Sequence, residues 1–104
     1  MIITTIDTIP GKTIKEVLGI TKGQVVQSKH MGSDFMAGLK TMVGGEIKGY
    51  TDMLNKARTI ATDRMVEEAE KLGADAVVGV RYGSSSMMAG ASEMLCYGTA
   101  VKLK

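Results

Sequence analysis

The sequence predicts an α+β domain: a small, mostly antiparallel four-stranded sheet with one long helix packed on one face. Three observations carry that prediction. Between Glu46 and Leu72 apolar residues recur at steps of three and four, the helical period, and four shorter stretches read as extended segments. The chain has 104 residues, which is about one ordinary domain and too short for two independent cores. The expected organisation is a single domain over residues 1–104.

Ile2 to Ile6 alternates as a short strand, with Ile2, Thr4 and Ile6 on one face and Ile3 and Thr5 on the other. Pro10-Gly11 is a turn signal. Lys12 to Glu16 has room for one or two helical turns, and Val17 to Gln27 reads as a second extended segment in which Gly19 and Gly23 mark a bend or bulge. Ser33 is a good N-cap and Asp34 suits the positive end of a helix, so a first helix is expected to carry Phe35, Leu39 and Met42 on one stripe, closed by Gly44-Gly45.

The long helix follows, with Ile47, Tyr50, Leu54, Ala57, Ala61, Met65, Ala69 and Leu72 on one stripe. Lys71 in the last turn and Gly73 just beyond it are the expected stop. A helix of that length spans roughly 40 Å, more than the diameter of a compact domain whose radius of gyration is only about 13 Å. The helix is therefore expected to bend or to reach a neighbouring chain.

Asp75 to Gly83 is a third strand, with an almost continuous apolar run from Ala76 to Val80. Ser84 to Ser92 reads as a loop or a weakly specified strand end. Glu93 to Leu103 alternates, with Leu95, Tyr97, Val101 and Leu103 on one face and Met94, Cys96, Gly98 and Ala100 on the other; the last two strands form a hairpin. The face of Met94, Cys96 and Ala100, joined by Val77 and Gly79, is expected to lie away from the helix. A second apolar face on so small a sheet predicts oligomerisation.

Composition excludes several classes. With 44% hydrophobic and 23% charged residues and a mean hydropathy of +0.08, the chain has the apolar content that disordered chains lack. Its apolar residues are unusual: nine Met and thirteen Gly against one Phe, three Tyr and no Trp. The net charge of +2 is spread without a basic stripe, so nucleic acid is not an expected partner. No apolar run approaches the roughly 20 residues of a membrane helix, and the opening residues lack the pattern of a secretory signal. No membrane partner and a cytoplasmic location are expected, and a single Cys, Cys96, suits a reducing compartment.

The opening ITT and IPGKTIKEVLGI, the stretch GGEIKGYTDMLNKARTIATDRMVEEAEKLGADAVVGVRYG and the terminal YGTAVKL together resemble the YbjQ-like family of small bacterial and archaeal proteins, to which heavy-metal binding has been attributed. The resemblance covers nearly the whole chain. Its most specific parts are Gly44 to Tyr50, Ala57-Arg58, Gly73 to Tyr82 and Gly98 to Val101. It implies a dodecin-like subunit assembled into a ring, a homopentamer, with no ligand residues to carry over. The Ser- and Met-rich stretch Ser84 to Ser92 departs from the family pattern.

Candidate chemistry is sparse. Met94 and Cys96 place two sulfurs on one strand face, Met87 and Met88 lie nearby in the sequence, and such ligands select soft ions such as Cu(I). Met and a lone Cys are also ordinary core residues, and no CxxC or HxxH spacing is present. His30 is the only His and a further candidate ligand. A hydrolase would need Ser84, Ser85 or Ser86 to meet His30, without the usual elbow motif. Asp63, Glu67, Glu68 and Glu70 fit a solvated helix face, where Asp52 with Lys56 and Glu67 with Lys71 are four-apart pairs. The glycine pairs match no phosphate-binding pattern.

The expectation is a non-enzymatic, ring-forming cytoplasmic protein with no catalytic residues, binding a heavy metal or small ligand where chains meet. Ile47, Tyr50, Leu54 and the Met94/Cys96 face are the expected assembly residues. A purely structural scaffold is the alternative.

Overall fold

A computed structural model of the chain describes residues 1–28, 42–43, 46–88 and 90–104. Along the chain these form β1 (Ile2–Ile3), β2 (Ile14–Ser28), β3 (Met42–Val43), β4 (Glu46–Ile47), α1 (Lys48–Lys71), β5 (Ala76–Met88) and β6 (Ala91–Leu103). The main sheet has the order β1-β5-β6-β2, and β3 pairs with β4 separately. β1 runs parallel to β5, whereas β5-β6 and β6-β2 are antiparallel. The architecture is the expected α+β layer, as a mixed four-stranded sheet with α1 on it. The first helix expected from Ser33 and the Gly44-Gly45 junction lie outside the described residues, but Met42, expected on that helix, pairs in β3 with Ile47, and Glu46 and Ile47, expected in the long helix, form β4 before it starts at Lys48.

Two strands differ from expectation. Lys12 to Glu16 makes no helical turn: Ile14 already pairs with Leu103, and β2 continues for 15 residues. Register shifts at Ile14/Glu16 and Val17/Gly19 absorb the local sequence irregularity. The Ser- and Met-rich segment extends β5 as far as Met88, because Ser84, Ser85 and Ser86 find ladder partners in Met94, Glu93 and Ser92. Cross-strand pairing decides that conformation where side-chain patterning is weak.

α1 buries a stripe of Met53, Ala57, Ala61, Met65 and Ala69. Gly73 follows the helix with a φ of 81°, which is the expected stop. Glu67 and Lys71 form an ion pair at 3.7 Å. The helix runs along an elongated body of 52 × 25 × 17 Å. Strands of 13 to 15 residues extend about 45 Å, so the sheet is long enough to carry α1 without a bend or an overhang.

The face chosen by α1 corrects the sequence reading. Met94, Cys96, Ala100 and Val77 lie in one core cluster with Ala57, Ala61, Met65 and Ala69, so theirs is the face beneath the helix. Small residues explain the choice. A Cβ placed on Gly23 would run into the backbone of Ala61 and Met65 and lie 2.9 Å from Arg64 Cβ. Only glycine lets the helix approach the sheet this closely. Thr21, fully buried beside it, donates its hydroxyl to the Met65 carbonyl at 2.8 Å.

On the other sheet face, Ala76, Val78 and Val101 are covered at one end by Ile9, Ile14 and Leu103. Gly79 has a φ of 62° and sits at the register shift between Val78 and Arg81. This bulge lets Val77 and Val80 both join the cluster under α1; a side chain at Gly79 would strain the backbone.

Candidate functional site

Cys96 lies in the middle of β6, opposite Gly23 on β2 and Tyr82 on β5. It is fully buried, and its thiol donates to Met65 Sδ at 3.4 Å. Next to this sulfur pair, the hydroxyls of Tyr82 and Thr62 are 2.9 Å apart. Burial pushes the Cys96 thiol above its ordinary value of 9.0, and hydrogen bonding with Tyr82 and Thr62 partly opposes that shift. A reactive cysteine needs the opposite environment, one that favours the thiolate.

The sulfur pair does not fit a resident heavy metal. Metal–sulfur bonds of about 2.3 Å separate two ligating sulfurs by about 3.8 Å at a tetrahedral angle and by more in a linear site. At 3.4 Å the two sulfurs touch each other. Met94 is also buried in this core, so two candidates from the sequence lie inside the chain's own core rather than on an uncovered face. His30 lies outside the described residues. Among the described residues, no group of three or more His, Cys, Asp or Glu side chains is placed to hold a metal ion.

Other expected residues fall apart in space. Leu54 packs against the chain's own core, and Tyr50, half-buried, shares a hydrogen bond of 3.1 Å with Ser92 Oγ. The side chain of Ile47 lies outside the described residues. Ser84, Ser85 and Ser86 are exposed along β5. Met87 and Met88 stand exposed at the end of that strand.

Two open apolar clefts flank the N-terminal segment. One, of about 210 Å³, is lined by Ile3, Thr4, Thr5, Val80 and Tyr82. The other, of about 200 Å³, includes Ile2, Ile6, Ile9 and Pro10. Sequence reasoning assigned the two faces of this segment but not the clefts, which exist because residues 4–6 hydrogen-bond along β5 (Thr4 N–H to Val77 O, Gly79 N–H to Ile6 O). It also missed Met65 as the partner of Cys96, since the contact depends on the seat of α1.

Fold and site together define a small two-layer α+β domain with the Cys96–Met65 sulfur pair sealed in its core. The chain belongs to the YbjQ family, whose sequence profile, described as "Putative heavy-metal-binding", matches residues 1–104. It is 62% identical over 104 residues to a UPF0145 protein of Thermotoga petrophila, covering 100% of this chain and 98% of that one. A UPF0145 protein of Vibrio parahaemolyticus is 63% identical over 103 residues, with 99% and 98% coverage. Neither name carries an enzymatic activity. A crystal structure of a protein of unknown function from Pediococcus pentosaceus, assigned to the DUF74 family, has a TM-score of 0.62 at 18% identity, covering 100% of this chain and 98% of that one. That likeness is one of fold. No helix among the described residues is long and apolar enough to cross a membrane.

Proposed function

We propose that the protein is a non-enzymatic cytoplasmic binding protein, a dodecin-like subunit of a homopentameric ring that holds a heavy-metal ion or small ligand where subunits meet. The observation that carries this reading is the amount of apolar surface a single chain leaves uncovered. Val17, Ile20 and Met88 are each more than 60% exposed, and several other large apolar residues are exposed with them. Soluble monomers rarely expose large contiguous apolar patches. The radius of gyration, 16.9 Å, exceeds the roughly 13 Å of a compact domain of this length, which also suits a chain shaped by its neighbours.

The burial of the donors supports an intersubunit location. Because Cys96 and Met65 are packed against each other inside the subunit, a soft ion would need ligands contributed by more than one chain. Size exclusion with light scattering is expected to give a mass of five chains at micromolar concentration. Titration with Cu(I) or Zn(II), followed by native mass spectrometry, is expected to load the assembly, with affinity unchanged in Cys96→Ala. A monomer would overturn the ring. Loss of binding in folded Cys96→Ala would move the site into the subunit core.

A further inference from the structure

We propose that Met87 and Met88, at the end of β5, form a site of reversible oxidation: in the folded chain a hydroperoxide converts their thioethers to sulfoxides while the sulfurs of the core stay reduced. The site does not depend on the ring. It requires only that the end of the β5-β6 hairpin stays open in whatever assembly the full chain forms.

The fold divides these sulfur atoms into two sets. Met53, Met65, Met94 and Cys96 are 8%, 0%, 3% and 0% exposed, and Cys96 and Met65 face each other at 3.4 Å. Met87 and Met88 are 58% and 69% exposed. Strand pairing accounts for the second set. β1 and the residues after it make backbone hydrogen bonds to β5 only as far as Val80, so beyond that point β5 has β6 on one side and, among the described residues, no strand on the other. Met87 falls in the register shift between Ser86 and Met88, and Met88 pairs with Ala91 across a turn in which Gly90 has a φ of 78°. Ser84, Ser85 and Ser86, exposed on the same stretch, are too short to shelter a neighbouring sulfur. Neither methionine belongs to a core cluster.

Access decides which set reacts. A thioether has no proton to lose, so exposure governs its oxidation, whereas a thiol reacts as its thiolate, which the buried Cys96 does not offer. In the step itself a sulfur lone pair attacks one peroxide oxygen. The S–O bond forms, the O–O bond breaks, and the proton of the attacked oxygen passes to the departing one, which leaves as water, or as an alcohol from an organic hydroperoxide. Sulfur is oxidised by two electrons and the peroxide is reduced by two. A methionine sulfoxide reductase supplied with a dithiol reverses the change: the oxygen leaves as water and the dithiol becomes a disulfide. Sulfoxidation disrupts a protein where the thioether is core packing. At Met87 and Met88 the added oxygen meets solvent, and the fold is kept.

The test uses the full chain as it assembles, with light scattering recording its mass. Wild type is treated with hydrogen peroxide, folded and in urea, and peptide mass spectrometry with fragmentation assigns each added oxygen to one methionine. Met1, 48% exposed at the N-terminus, is scored separately. In the folded chain Met87 and Met88 are expected to react within about threefold of their rates in urea, while Met53, Met65 and Met94 slow by about tenfold or more. Circular dichroism is expected to stay unchanged, and the two methionine sulfoxide reductases, one for each sulfoxide epimer, should remove both oxygens from the folded protein. Met87→Leu/Met88→Leu should lose the fast uptake and keep the fold. Met87 and Met88 slowed as much as the buried three would overturn the site, whatever the mass of the assembly. Loss of fold on oxidation, or sulfoxides that the reductases leave in place, would overturn its reversibility. A monomer that oxidises as expected would leave this site standing and overturn the ring alone.

Discussion

Cys96 would be the natural choice of anyone looking for chemistry in this sequence, and its surroundings disfavour a reactive thiolate. Its sulfur is fully buried, donates to Met65 Sδ and has its thiolate disfavoured by burial. That has a measurable consequence. With the folded-state pKa raised above 9.0, the unfolded chain loses the thiol proton first, so the thiol's contribution to stability is full below pH 9.0 and is lost as pH rises above it. Urea unfolding of wild type and Cys96→Ala across that range should show a difference of about 1 kcal/mol at neutral pH that shrinks above pH 9.0. A gap independent of pH would contradict the burial argument.

At the scale of elements, the helix and the strand that receives it are matched through one missing side chain. Gly23→Ala puts a methyl group into the backbone of Ala61 and Met65, and is expected to destabilise by about 3 kcal/mol, at the upper end of overpacking costs. Gly83→Ala is the control: nothing lies within 4 Å of its added Cβ, and thermal melts should differ from wild type by no more than about 0.5 kcal/mol. Equal melts for both variants would mean that α1 does not sit where Gly23 admits it. This contact also explains what the sequence could and could not reveal. The stripe Ala57, Ala61, Met65, Ala69 was legible from its period, and so was the alternation of Met94, Cys96 and Ala100. Which sheet face takes the helix was not, because it depends on the register that sets Gly23 beside Cys96 and Thr21 beside Gly98. That register joins strands about 70 residues apart in sequence, and local patterning does not encode it. The strand at Ser84 to Met88 was obscure for a related reason, since its ladder with β6 supplies the order that its own residues do not.

For the whole molecule, the proportions matter most. A body only 17 Å thick and 52 Å long has little interior for its surface, and its stability as an isolated chain is correspondingly small. On the proposed ring, folding and assembly are linked by mass action, so the melting temperature should rise with protein concentration over about a hundredfold range. Calorimetry at several concentrations checks this, and a constant melting temperature would speak for a self-sufficient monomer. The candidate site was less legible than the fold for a reason of the same scale: composition revealed the sulfur atoms, but only packing reveals that Cys96 and Met65 spend theirs on each other.

One side-chain contact bears on the free margin of this thin sheet. Arg64 reaches from α1 over β2 and donates to the Gln24 carbonyl at 2.7 Å, on the strand that is last in the sheet among the described residues. An occupied edge carbonyl is withdrawn from pairing with a passing chain. Strand-on-strand growth into fibrils needs free acceptors along the sheet margin, and here the helix occupies one of them.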